Sequence, residues 1–90
     1  MKIYSKQCPN FDKKSRLENL IKILVIHYTG MQSERESIKR LCNPLSKVSC
    51  HYFINQNGKI FRLVKDKYIS WHAGKSCWGK YKNLNENSIG

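Results

Sequence analysis

Three stretches of this 90-residue chain predict a small α/β domain. Ile21 to Ile26 is apolar almost throughout and β-branched at four of six positions, which reads as a central strand covered on both faces. Ser33 and Glu36 have the S-x-x-E spacing of a capping box, followed by Ile38, Leu41, Cys42 and Leu45 at helical spacing. "HYFINQNGKIFRLV" sets alternating segments on either side of Asn57-Gly58, a pair suited to a tight hairpin turn.

Taken in order, residues 6–18 are polar and carry Pro9 and Asn10, so the first 20 residues read as an irregular lead-in. The strand over Ile21 to Ile26 then places His27 at its C-terminal end. The capping box opens a helix over Ser33 to Asn43, which Pro44 ends because the residue before a proline is pushed out of helical geometry. A two-residue type I′ turn at Asn57-Gly58 would pair Ile54 with Phe61 and Tyr52 with Leu63, putting those four side chains on one face. Beyond Val64 the chain turns polar and aromatic, with Trp71, His72, Trp78 and Tyr81 among glycines and lysines. Loops of that composition usually line a site. "NENSIG" reads as the approach to a further strand whose first apolar residue is Ile89.

Ninety residues bound the chain at one small domain, which buries only about two-thirds of its unfolded surface. Lys and Arg number 17 against 6 Asp and Glu, a net charge of +11. These cations are spread from Lys2 to Lys82 in runs no longer than two, so they make a basic surface without the compact patch of a nucleic-acid-binding arm. The four cysteines Cys8, Cys42, Cys50 and Cys77 form no C-x-x-C, and reduced thiols are the expectation. The N-terminus lacks the apolar core of a signal peptide, and no segment approaches the ~20 apolar residues of a membrane span, so a cytoplasmic protein is expected.

Three histidines are available for chemistry. His27 at a strand end is well placed for a ligand or catalytic role, because the strand positions it while the loop edge admits substrate; a satisfied structural histidine is the plainer reading. His51 begins a strand and His72 lies in a loop, and no pair has the i, i+4 spacing of H-E-x-x-H zinc enzymes. Trp71 and Trp78 suit stacking on a sugar or a base, or filling a core. Cys50 precedes His51, but neighbours on a strand point to opposite faces, which argues against a thiol–imidazole dyad.

Read together, these segments resemble the zinc-dependent N-acetylmuramoyl-L-alanine amidases of the AmpD type, whose fold is shared with peptidoglycan recognition proteins. "CPNFDKK" is similar to the family's S-P-N-F stretch, with Cys8 in place of serine. "LVIHYTG" resembles its first zinc-ligand strand, and "SIKRLCNPLSKVSCHYFINQNGKIFRLV" its helix, V-S-x-H-Y motif and hairpin. "WHAGKSCWG" and "LNENSIG" are similar to its W-H-A-G-x-S-x-W loop and its L-N-x-x-S-I-G.

The resemblance implies a mixed β-sheet with flanking helices, of which residues 1–90 would be the N-terminal portion. It implies zinc-activated hydrolysis of the amide joining the muramoyl or anhydro-muramoyl lactyl group to L-alanine of the stem peptide. His27 would be a zinc ligand, while His51, Trp71, His72, Trp78 and Asn85 would fall in segments lining the substrate groove. The family's catalytic glutamate and its two remaining zinc ligands lie beyond the position of Gly90. The expectation is therefore a truncated amidase with little activity alone, exposed strand edges, muropeptides as partners and room for a complementary C-terminal chain. A non-catalytic peptidoglycan-binding module and a small basic nucleic-acid binder are the competing classes.

Overall fold

The computed structural model describes residues 2–30, 33–74 and 76–90, with Cys77 described by its backbone alone. In chain order the elements are β1 (Ile3–Ser5), β2 (Phe11–Asp12), β3 (Ile23–Leu24), α1 (Glu34–Cys42), β4 (Tyr52–Ile54), β5 (Ile60–Arg62), β6 (Ile69–Ser70), β7 (Cys77–Trp78), β8 (Tyr81–Lys82) and β9 (Ser88–Ile89). Single 3-10 turns occupy Glu18–Leu20, Pro44–Ser46 and Leu84–Glu86. The fold is α/β with mixed pairing: β1 runs parallel to β5, β5 antiparallel to β4, and β3 parallel to β9. Two antiparallel pairs, β2 with β6 and β7 with β8, complete it.

Helix α1 forms where local chemistry demands it. Ser33 Oγ accepts the Glu36 amide at 3.1 Å, satisfying a helix-start donor, and Asn43 closes the C-terminus. Asn43 then caps the following turn, its Oδ1 accepting the Leu45 amide at 3.0 Å, with Pro44 as that turn's first residue. Leu45, expected on the apolar stripe, is 87% exposed, because the helix stops at Cys42 and the turn swings it outward. Ile38 does enter the core, with Cys8, Phe53 and Leu63.

The hairpin lies where expected but in a different register. Ile54 pairs with Ile60, Phe53 with Phe61 and Tyr52 with Arg62. Asn55 donates to Lys59 O at 3.0 Å, leaving a three-residue loop in which Gly58 has φ +81° while Asn57 does not enter the left-handed region. A three-residue loop with glycine at the left-handed position replaces the type I′ turn. The one-residue slip exchanges the faces of β5, so Phe61 joins Phe53, their ring centroids 6.4 Å apart.

Three further expectations are corrected. The lead-in is not wholly irregular, since it supplies β1 and β2. The strand at Ile21 to Ile26 is not covered on both faces. Ile21, Ile23 and Val25 are half-buried on one face, but Leu24 is 68% and Ile26 87% exposed on the other, which is left open. Nor are all thiols reduced: Cys8 and Cys42 form a disulfide with Cα atoms 4.7 Å apart, the lead-in having folded back onto the end of α1. Asn10 reinforces that junction. Buried to 1% exposure, its Nδ2 donates its two hydrogens to the carbonyls of Asn43 at 2.8 Å and Val48 at 2.9 Å, with the Leu41 carbonyl 3.2 Å away.

Candidate functional site

Strand β3 carries His27 past its last paired residue to an exposed position. The loop after β6 brings His72 to meet it, with Nδ1 of His72 3.1 Å from Nε2 of His27. Ser88 on β9 orients this pair. Its hydroxyl donates to the Leu84 carbonyl, so toward His72 Nε2, 3.0 Å away, it can act only as acceptor. The network therefore assigns the His72 proton to Nε2 and leaves Nδ1 to accept from the Nε2–H of His27. Burial, with the charges of His27, His51 and Arg16 nearby, pushes the His72 pKa down to about 4. The two rings meet edge to face, their planes 73° apart, and His72 is neutral near pH 7.

His51 is fully buried behind them, its ring centroid 6.2 Å from that of His72. Its Nε2 donates to the Tyr68 carbonyl at 2.8 Å, and Nδ1 accepts the Ser70 hydroxyl at 3.0 Å and the Gly90 amide at 3.2 Å. Because that Nε2 carries hydrogen, the Arg16 Nη2 at 3.3 Å is a close contact between donors, not a bond. Burial first, and the Arg16 charge in addition, lower the His51 pKa, while the Tyr68 carbonyl works against them. His51 thus ties the end of β9 to the β6 loop.

Asn85 shapes the loop that holds His72. Its Oδ1 accepts the His72 amide at 3.1 Å and the Ala73 amide at 2.7 Å, and its own carbonyl accepts Arg16 Nη1 at 3.0 Å. Trp71 is fastened at both ends, its amide to Ser49 Oγ at 2.8 Å and its Nε1 to Asp12 Oδ1 at 3.0 Å. Trp71, His72 and His27 line one groove of about 940 Å³ that runs between β3 and β4. Trp78 stands outside that lining and is 72% exposed. Lys75, in the same loop, lies outside the described residues. Cys50 also lines the groove, but burial pushes its thiol up to about 11, and His51 has both nitrogens engaged elsewhere.

Arg16, Ser70 and Ser88 were not singled out by sequence. Arg16 lies in the polar lead-in with no motif around it, and its guanidinium also donates to the Asp66 carbonyl at 3.1 Å. Ser88 is part of the S-I-G segment, which pointed to a strand and not to a histidine partner.

Catalytic zinc takes three protein ligands and keeps a fourth position open. His27 and His72 offer two ring nitrogens, and His51 offers none. Among the described residues no group of three or more His, Cys, Asp or Glu could hold a metal ion. The donor set does not fit a complete catalytic zinc site.

Residues 17–90 match the Amidase_2 family, N-acetylmuramoyl-L-alanine amidase, and the chain belongs to that family. It is 40% identical over 77 residues to N-acetylmuramoyl-L-alanine amidase AmiD of Escherichia coli, a match covering 78% of this chain and 27% of AmiD. It is 29% identical over 101 aligned positions to 1,6-anhydro-N-acetylmuramyl-L-alanine amidase AmpD of Haemophilus influenzae, covering 93% of this chain and 54% of AmpD. The chain thus spans about a quarter and about half of these two relatives. No solved structure matches it significantly. Among the described residues no helix is long and apolar enough to cross a membrane.

Proposed function

We propose that this chain is part of an AmpD-type peptidoglycan amidase, acting on the amide between N-acetylmuramoyl, or its 1,6-anhydro form, and L-alanine of the stem peptide. The observation that carries this reading is the family match over residues 17–90, with His27 exposed at the end of β3 beside the groove-lining Trp71 and His72. In this reading Trp71 gives the substrate an apolar face, and Asn85 and Ser88 hold His72 in one orientation beside His27. His27 is one zinc ligand. With two imidazoles and no third donor grouped with them among the described residues, the 90-residue chain hydrolyses little or nothing alone.

The test is to join the chain to the remainder of E. coli AmiD and incubate it, with zinc, with N-acetylmuramoyl and 1,6-anhydro-muramoyl peptides. Release of L-alanyl peptide, lost in His27→Ala, is expected. A second reading, a peptidoglycan-binding module without catalysis, is favoured by the shortage of metal donors. Saturable muropeptide binding without turnover in the same fusion would select it. Absence of both binding and turnover would overturn the peptidoglycan reading.

A further inference from the structure

We propose that the open edge of β1 is a docking site for an extended acidic segment of a partner protein, which joins the sheet as a further strand. In the order β1-β5-β4, β1 has β5 as its single neighbour among the described residues. It lies at the opposite edge of that sheet from the groove, which β4 lines. Strand β1 is exposed throughout.

The direction of its main-chain groups follows from the pairing. β1 runs parallel to β5 with Tyr4 beside Phe61, and Lys6 continues the ladder by donating to Arg62 O at 2.9 Å. A parallel strand bonds one neighbour through alternate residues, so the even amides point into the sheet. The amides of Ile3 and Ser5 therefore point outward, at the spacing that an added strand uses.

The side chains along this edge select the partner's charge. They alternate across the strand, which sets Lys2, Tyr4 and Lys6 on one face and Ile3 and Ser5 on the other. Lys59, just before β5, reaches the first face, its Nζ 4.2 Å from the centre of the Tyr4 ring, and Lys2 Nζ lies 4.9 Å from the same centre. The ring thus holds two ammonium groups in place before a partner arrives. Among the described residues no carboxylate pairs with Lys2, Lys6 or Lys59. Lysines guard an edge against strands of like charge, and a second copy of this chain, at +11 with the same lysines, is repelled there. They do not guard it against an acidic strand. Carboxylates at alternate positions meet the lysine face, and the side chains between them lie against Ile3 and Ser5. Charge therefore rejects self-pairing and favours a segment that alternates acidic with apolar residues.

The probe is an alternating glutamate–valine octapeptide with capped ends, titrated into the protein at low salt and followed by NMR. Neither zinc nor muropeptide is present, so the result is independent of the amidase reading. Saturable binding is expected, with slowed amide exchange at Ile3 and Ser5 and an affinity that falls as salt is added. Ser5→Pro removes an outward amide while sparing the bonds to β5, and should weaken binding about tenfold. The double variant Lys2→Glu, Lys59→Glu should weaken it by about tenfold or more. The corresponding lysine–valine octapeptide should not bind. Absence of saturable binding by the glutamate–valine probe would overturn the proposal. So would binding that leaves Ile3 and Ser5 unprotected, or equal affinity for a peptide with the same residues sorted into an acidic half and an apolar half, because either result reduces the edge to a patch of charge. Self-association of the free protein that protects the same two amides would overturn it as well.

Discussion

His27 Nε2 and His72 Nδ1 lie 3.1 Å apart although 45 residues separate them in the chain. The contact has a direction, because the Ser88 hydroxyl is committed to Leu84 and forces His72 to donate from Nε2. Both imidazoles also offer nitrogen to a cation that displaces the shared proton, but a third donor is absent among the described residues.

Zinc binding by the 90-residue chain should therefore be weak. A full four-ligand structural site supplies about 10–16 kcal/mol, and two imidazoles should fall well short of that. Calorimetric titration of the chain, of His27→Ala and of His72→Ala checks this. Tight binding that survives both substitutions would contradict the assignment of donors.

Stability should fall in acid. His51 and His72 are neutral in the fold, with pKa values lowered, His72 to about 4, whereas an unfolded histidine titrates near 6.5. Below about pH 6.5 the unfolded chain takes up protons that the fold refuses, so stability is lost as pH drops toward 4. Urea midpoints measured from about pH 7 to pH 4 should decline over that window, and less steeply in His72→Gln.

The hairpin register makes two neighbouring substitutions unequal. Gly58→Ala places a side chain at φ +81° and should cost about 1–2 kcal/mol. Asn57→Ala, at ordinary φ, should stay within about 0.5 kcal/mol. Equal losses in denaturant unfolding would restore the type I′ turn.

The lead-in should contribute strongly to stability. Asn10→Ala leaves the carbonyls of Asn43 and Val48 without their donor and should cost about 1–3 kcal/mol. Reducing Cys8–Cys42, which closes a separation of 34 residues, should remove about 3–4 kcal/mol by the chain-entropy argument. Unfolding midpoints with and without reductant test the second, and an unchanged midpoint would show that the cross-link does not constrain the unfolded chain.

Arg16 should act on His51 through charge as well as packing. Arg16→Met should raise the His51 pKa, since a guanidinium 3.3 Å from Nε2 opposes protonation, whereas Arg16→Lys should change it less. Imidazole NMR titration of each variant separates this from loss of fold. An unmoved or lowered pKa in Arg16→Met would contradict it.

By itself the sequence determined what depends on near neighbours. The helix falls where Ser33, Glu36, Asn43 and Pro44 place its caps, and the hairpin falls around Asn57-Gly58, because capping and turn chemistry act over a few residues. Family membership was legible too, since five motifs in order survive without any knowledge of contacts. The hairpin register was not, because Gly58 suits a two-residue and a three-residue loop alike, and cross-strand packing of Phe53 on Phe61 accompanies the choice. Only tertiary structure joined Cys8 to Cys42, set Arg16 against His51, and turned His72 toward His27. Those pairings span 34, 35 and 45 residues, and distances of that length are closed by the path of the whole chain, which no local pattern records.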